Sequence, residues 1–201
     1  MPPLYAHDPF VAVQRAVAMR WLDVPMALLS IACEGWMVAL IALAMYAWLE
    51  KDVPSVWKTF APLVVGLVAG GVLVHVLKDV WATPRPLAVY GPARVHVLLQ
   101  PLWKHGFPSG HSVSAGTFAA FTLAVYGRRG LAAIALPLLG GVSRVYVGAH
   151  WVADVIGGWA IGIGLALLVY FAAVRVLPRG HLARLRAERA QARLDMSSKV
   201  P

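Results

Sequence analysis

Charge is what this chain has least of. Charged side chains make up 13% of its 201 residues, and only nine are acidic. Enzymes that work through paired metal ions hold them with carboxylate clusters. The only acids close to the polar segments here are Asp79 and Asp154, so no metal site and no other cofactor is expected. Cysteine occurs once, at Cys33, which excludes a disulfide within the chain and leaves no thiolate set for a metal. A cleavable signal peptide pattern is missing. The first twenty residues carry Pro2, Pro3, Asp8, Arg15 and Arg20 and no continuous apolar run. Polar stripes are missing from 60–77 and 155–174, which are apolar all round apart from His75. A soluble helical bundle would show such stripes at helical period. No repeat, linker or low-complexity tract divides the chain, so one domain is expected over residues 1–201.

Apolar residues fill the space left. They make up 60% of the chain, against about 45–50% in a soluble domain. Five segments read as membrane helices, near 24–48, 57–78, 112–127, 130–147 and 153–175. Their lengths approach the roughly 17–25 residues a bilayer demands. Residues 9–21 read as a helix lying along the interface. The expected fold class is all-α, a polytopic membrane helical bundle of about five transmembrane helices plus an N-terminal interfacial helix. Its parts are an interfacial segment over 1–23, a transmembrane core over 24–175 and a basic tail over 176–201. Trp21, Trp48, Trp57, Trp81, Trp103 and Trp151 fall near the expected helix ends, as in an aromatic belt. Gly158 and Gly162 form a GxxxG pair suited to close helix packing.

The net charge of +9 is unevenly spread. With five spans, Lys51, Lys58, Arg128, Arg129 and every basic residue from Arg175 onward share one side, 11 of the 18 in total. The positive-inside rule makes that side cytoplasmic, so the polar segments face the periplasm or exterior of a bacterial inner membrane. The basic tail suits anionic lipid, and no nucleic-acid partner is expected.

Three short clusters interrupt the apolar chain: Lys78–Pro86 (KDVWATPRP), Pro108–His111 (PSGH) and Ser143–Asp154 (SRVYVGAHWVAD). His150 and Asp154 are four apart at the start of an expected helix and can share a face. A carboxylate on one imidazole nitrogen fixes the tautomer and leaves the other nitrogen free to attack. Gly110 permits close backbone approach. Helix-start N–H groups, with the Ser109 hydroxyl, can bind an anion. His111 can protonate a leaving oxygen. Lys78, Arg85 and Arg144 add a point charge and two planar forks for phosphate oxygens. Prolines 84 and 86 break the helix so that Arg85 can fold back toward Lys78.

In chain order the clusters read K-x6-R-P, P-S-G-H and S-R-x5-H-x3-D. This pattern resembles the type 2 phosphatidic acid phosphatase superfamily, which includes membrane lipid phosphatases, glucose-6-phosphatase and soluble vanadium haloperoxidases. The resemblance covers roughly 78–154 and is complete at every motif position. It implies His150 as a nucleophile that becomes phosphohistidine, Asp154 as its orienting base and His111 as the acid for the leaving group. Lys78, Arg85, Ser109, Gly110 and Arg144 would hold the phosphoryl oxygens, with no metal. Many membrane members have six spans where this chain shows five.

The expected function is therefore a metal-independent phosphatase acting on a lipid phosphate or diphosphate. Undecaprenyl diphosphate, phosphatidylglycerol phosphate, phosphatidic acid and lipid A are the candidate substrates, with specificity carried by the 87–107 loop. A lipid-to-lipid phosphotransferase using the same site, or a non-catalytic lipid-binding protein, is the alternative. Oligomeric state stays open. Glu34, inside the first expected span, is costly there unless paired or beside a cavity. His75 is expected to be buried and satisfied, Asp79 to balance a nearby cation, and His96, Lys104 and His105 to lie in a solvated outer loop.

Overall fold

The computed structural model describes residue 5, residues 7–50 and residues 52–176. Lys51 and the basic tail from 177 lie outside the described residues. The described chain is helical, with no strand: α1 Phe10–Val17, α2 Asp23–Ala32, α3 Gly35–Glu50, α4 Val53–Trp81, α5 Pro86–Tyr90, α6 Gly110–Tyr126, α7 Ala135–Tyr146 and α8 Val152–Val176. Local chemistry sets the ends. Asp52 caps α4 by accepting from the Ser55 amide at 2.9 Å, and Ala82 closes it in the left-handed region at φ 37°. Ser109 caps α6, and Gly127 at φ 58° ends it.

Central in the bundle is α6, packed against α3, α4, α7 and most extensively α8. The α6–α8 seam is made by glycine. A Cβ on Gly158 would sit 2.7 Å from the Ser109 carbonyl oxygen, and one on Gly162 would sit 2.5 Å from that of Val113. The GxxxG pair therefore packs within this chain, backbone against backbone. A larger residue at either position would force the helices apart.

The outer surface is apolar. Val68, Val72 and Val80 on α4 and Leu168 and Phe171 on α8 are more than half exposed, a surface suited to hydrocarbon rather than water. Val53–Tyr90, Gly110–Tyr146 and Val152–Arg175 are each long and apolar enough to cross a membrane. The segments Arg20–Ala32 and Gly35–Glu50 qualify together, but as a pair bent by 82°. This is a membrane-embedded helical protein.

Several details depart from the sequence reading. The first expected span, 24–48, is broken at Cys33 and Glu34, so Glu34 sits in the bend and its carboxylate accepts from the Trp36 indole at 2.5 Å. Of the spans expected at 112–127 and 130–147, the second is short. A 3-10 segment, Gly127–Ile134, joins α6 to α7, and α7 has 12 residues, about 18 Å at 1.5 Å each, below the ~30 Å of a hydrocarbon core. The expected interfacial helix shrinks to α1, whose Phe10 and Gln14 are buried against the protein. Trp151 is not part of a belt: it is wholly buried, whereas Trp21, Trp48, Trp57, Trp81 and Trp103 are at least half exposed. His75 is exposed, with its side chain 83% accessible and Asp79 3.8 Å away.

Candidate active site

All three clusters meet at one end of the bundle, where α4 and α7 finish and α6 and α8 begin. The turn from Val147 to Trp151 carries His150 between α7 and α8. Gly148 makes the turn at φ 74°, with the His96 carbonyl oxygen where a Cβ would be, 2.6 Å away. Asp154 lies in the first turn of α8, a position that favours a carboxylate. Its Oδ2 accepts from the Trp151 amide at 3.1 Å, half of a capping box. The same oxygen is 3.2 Å from Nδ1 of His150. One carboxylate oxygen thus starts the helix and fixes the imidazole.

Nδ1 donating to Asp154 leaves Nε2 as the free nitrogen, and it points at Nη1 of Arg85, 3.3 Å away. Arg85 does not fold back onto Lys78. Its Nε donates to the Lys104 carbonyl at 2.8 Å, Nη1 to that of Ala149 at 2.7 Å and Nη2 to that of His105 at 3.1 Å. These bonds fasten the 103–106 loop over the site. Lys104 and His105 are therefore more than solvated loop: their carbonyls grip the guanidinium, and His105 Nδ1 lies 2.9 Å from the Lys78 carbonyl. His96 is likewise engaged, 3.0 Å from Asp23.

Arg144 reaches the same place from the end of α7 and is 5% exposed, as is Arg85. Its Nη1 donates to the Ser30 hydroxyl, while Nε, buried, has no partner. Neither arginine makes an ion pair with a carboxylate among the described residues. Burying a guanidinium without a counter-ion costs several kcal/mol, which a bound anion would offset. Lys78 and His111 lie within electrostatic range of both arginines, and neither makes a side-chain hydrogen bond among the described residues.

Ser109 Oγ accepts from the Ser112 hydroxyl at 3.0 Å and from the Ser112 amide at 3.4 Å. Its own proton remains free to donate. The Ser109 amide donates to the Asp154 carbonyl at 3.1 Å, which ties the start of α6 to the first turn of α8. A Cβ on Gly110 would make an ordinary 3.4 Å contact with Val74, so the protein's own packing does not demand glycine there. Gly106 is the demanding position: a Cβ would lie 3.2 Å from Asp154 Oδ2 and 3.3 Å from the Pro84 carbonyl.

Electrostatics follow from this crowding. Burial, then Arg85, Arg144 and Lys78, hold His150 well below the usual imidazole range. A neutral ring keeps a lone pair on Nε2 while Nδ1 donates to Asp154. Among the described residues no three His, Cys, Asp or Glu side chains gather as a metal site.

Four residues at the site carried no signal in the sequence. Tyr5 donates to Asp154 Oδ1 at 2.8 Å. Asp8 takes the Val152 and Ala153 amides at 3.2 and 2.8 Å, capping α8 from outside. Gln14 donates to the carbonyls of His96, Val145 and Tyr146. Ser30 holds Arg144.

The chain is similar to several known proteins. The lipid A 1-phosphatase of Rhizobium johnstonii is 34% identical over 109 residues, which is 51% of this chain and 43% of that protein. The undecaprenyl-diphosphatase of Sulfolobus acidocaldarius is 36% identical over 109 residues, 53% of this chain and 51% of that one. The chain thus spans about half the length of these curated relatives. The crystal structure of LpxE from Aquifex aeolicus superposes with a TM-score of 0.65 at 26% identity, covering 80% of this chain and 91% of that one. A PAP2-type phosphatidylglycerolphosphate phosphatase from Bacillus subtilis shares the fold, with a TM-score of 0.61 at 23% identity over 83% and 85% of the two chains. The family model of the PAP2 superfamily matches residues 59–176, from the second turn of α4 to the end of α8 and through all three clusters, and the chain belongs to that superfamily.

Proposed function

We propose that this chain is a single-domain integral-membrane phosphatase that removes phosphate from a lipid phosphate or diphosphate through a phosphohistidine on His150. The observation that carries the reading is the pair of buried arginines, without carboxylate partners among the described residues, near a His–Asp pair at one end of apolar helices. Three cations, Lys78, Arg85 and Arg144, stand against the single carboxylate of Asp154, an excess suited to a phosphate dianion.

In this reading the phosphoryl oxygens take the free donors: Arg144 Nε, Lys78, the Ser109 hydroxyl and the first amides of α6 at Gly110 and His111. Arg85 turns its Nη1 proton from His150 to a phosphoryl oxygen, and that frees the Nε2 lone pair. Nε2 attacks phosphorus, the bond from phosphorus to the leaving oxygen breaks, and His111, entering the step as the imidazolium paired with the bound dianion, passes one proton to that oxygen and becomes neutral. Asp154 stabilises the positive charge that develops on the ring. A water then gives a proton to His111 and attacks phosphorus, and the N–P bond breaks to release phosphate. Positioning and charge neutralisation are the main demands of this chemistry, and cationic side chains meet them here.

The substrate class follows from placement: a site at the end of membrane helices suits a headgroup whose tail stays in the bilayer. The names of the relatives favour lipid A phosphate or undecaprenyl diphosphate among the candidates. The charge distribution of the sequence favours a site facing the periplasm or exterior, with the C-terminus in the cytoplasm.

The test is phosphate release by detergent-purified protein, with EDTA present, across undecaprenyl diphosphate, lipid A, phosphatidylglycerol phosphate and phosphatidic acid. Release that survives EDTA and disappears in His150→Ala supports the reading. Release that EDTA stops overturns the metal-free part of it. A phosphorylated acceptor lipid in place of free phosphate would make the protein a phosphotransferase.

A further inference from the structure

The segment before α2 lies outside the part of the chain that the family model matches, residues 59–176, yet it is built into the site. Tyr5 is wholly buried. Its ring stacks on Trp151 with centroids 4.8 Å apart, and Phe10 meets the same indole edge-on at 5.6 Å. Trp151 is in turn fixed by its indole N–H on the Pro84 carbonyl at 2.8 Å. The Tyr5 hydroxyl is therefore aimed by a packed aromatic cluster, and it lands on Asp154 Oδ1 at 2.8 Å.

That bond completes the carboxylate. Oδ2 serves the His150 ring and the Trp151 amide; Oδ1 has the Tyr5 hydroxyl. Asp154 is 0% exposed, so water does not replace a missing donor. Burial also raises the Tyr5 phenol above its usual range, which keeps the proton on the donating oxygen. Two further residues hold the strap in place. Asp8 binds the first amides of α8, and Gln14 binds the carbonyls at the end of α7.

We propose that Tyr5 is a positioning residue of the active site: its hydroxyl holds the Asp154 carboxylate in the plane that presents Oδ2 to His150, so that the N-terminal strap completes the His–Asp pair. This rests on the reading of His150 and Asp154 given above. Tyr5 touches neither substrate nor phosphorus, and its effect passes through Asp154.

The experiment compares wild type, Tyr5→Phe, Tyr5→Leu and His150→Ala as full-length proteins. Phosphate release from undecaprenyl diphosphate and phosphatidic acid gives kcat and KM. Orthovanadate affinity by calorimetry gives a second readout that needs no turnover. Phenylalanine keeps the stack on Trp151 and loses only the hydroxyl. Hydrogen bonds to charged groups are worth enough that Tyr5→Phe is expected to lower kcat by about tenfold to a hundredfold. KM is expected to stay put, the melting temperature to fall because a buried carboxylate oxygen loses its donor, and orthovanadate binding to weaken by a factor similar to that in kcat. Tyr5→Leu should lose still more melting temperature, because the stack on Trp151 goes as well. A wild-type kcat and wild-type orthovanadate affinity in Tyr5→Phe overturn the proposal, whatever Tyr5→Leu does. A raised KM at unchanged kcat overturns it too, because the hydroxyl would then be meeting substrate. If His150→Ala keeps turnover, or if wild type neither hydrolyses these lipids nor binds orthovanadate, the reading of the site falls and Tyr5's role with it. A dead His150→Ala beside an unaffected Tyr5→Phe removes Tyr5 alone.

Discussion

The region from Tyr5 to Glu50 and the region from Lys78 to Asp154 contribute to the same site in opposite ways. The second supplies the groups proposed to act on phosphorus: two histidines, three cations and a carboxylate, of which His150 and Asp154 are bonded to each other four residues apart. The first supplies none of these, only groups that grip them. Ser30 holds Arg144, Tyr5 holds Asp154, Asp8 caps α8, and Gln14 bonds to three carbonyls around the α7 end. The aiming groups of the first region are thus separate from the proposed reactive groups, although the second region also aims Arg85 through its own Lys104 and His105 carbonyls.

Substitutions can break that comparison or sharpen it. The largest effect is expected in the motif region. His150→Ala should reduce phosphate release by about 10⁶-fold, the scale seen when a nucleophile is deleted, with the purified protein still folded; ordinary turnover in that variant would falsify the mechanism. Asp154→Asn should lower kcat by about 10⁴-fold, because the amide selects the wrong tautomer of His150. A loss under tenfold would mean that the carboxylate is structural. Arg144→Lys should cost about a hundredfold in kcat/KM, since an ammonium lacks the planar fork, and lysine at full activity would show that charge alone suffices. Away from the reactive groups the expected losses are in stability. Gly162→Ala should destabilise the fold by about 1–3 kcal/mol through overpacking against the Val113 carbonyl, read as a lower melting temperature in detergent. Asp8→Ala should cost about 1 kcal/mol as a lost helix cap and leave kcat near wild type. If Asp8→Ala instead abolished turnover, gripping and reacting would not be separable.

The same division explains what was legible in the sequence. His150 with Asp154 and Ser109 with Ser112 are pairs four and three residues apart, and helix periodicity displays such pairs directly. Lys78, Arg85 and Arg144 are far apart in the chain, but each lies where an apolar run ends, and ends of runs meet at a membrane surface. The contacts of Tyr5 and Ser30 span 149 and 114 residues. No spacing rule reaches that far, and a tyrosine near a chain start or a serine in an apolar stretch has many ordinary explanations. The break at Cys33 had a visible cause in hindsight of chemistry: a carboxylate followed by glycine inside an expected span relieves its burial by opening the helix. The shortness of α7 was hidden because an apolar run reads the same whether it spans a bilayer or packs as half a hairpin.

The glycine seam has a consequence beyond packing. Gly158 and Gly162 bring α8 against α6 within three turns of the site, so the distance between the starts of the two helices is fixed by main-chain atoms. Farther along, α8 presents large apolar side chains to its surroundings. A bilayer thicker or thinner than these helices strains them by fractions of a kcal/mol per Å, and the strain falls on their far ends, where tilt is cheap. The end that carries the His–Asp pair, held by the seam, is the end least free to tilt. Such an arrangement suits a site whose geometry is to hold in membranes of different thickness.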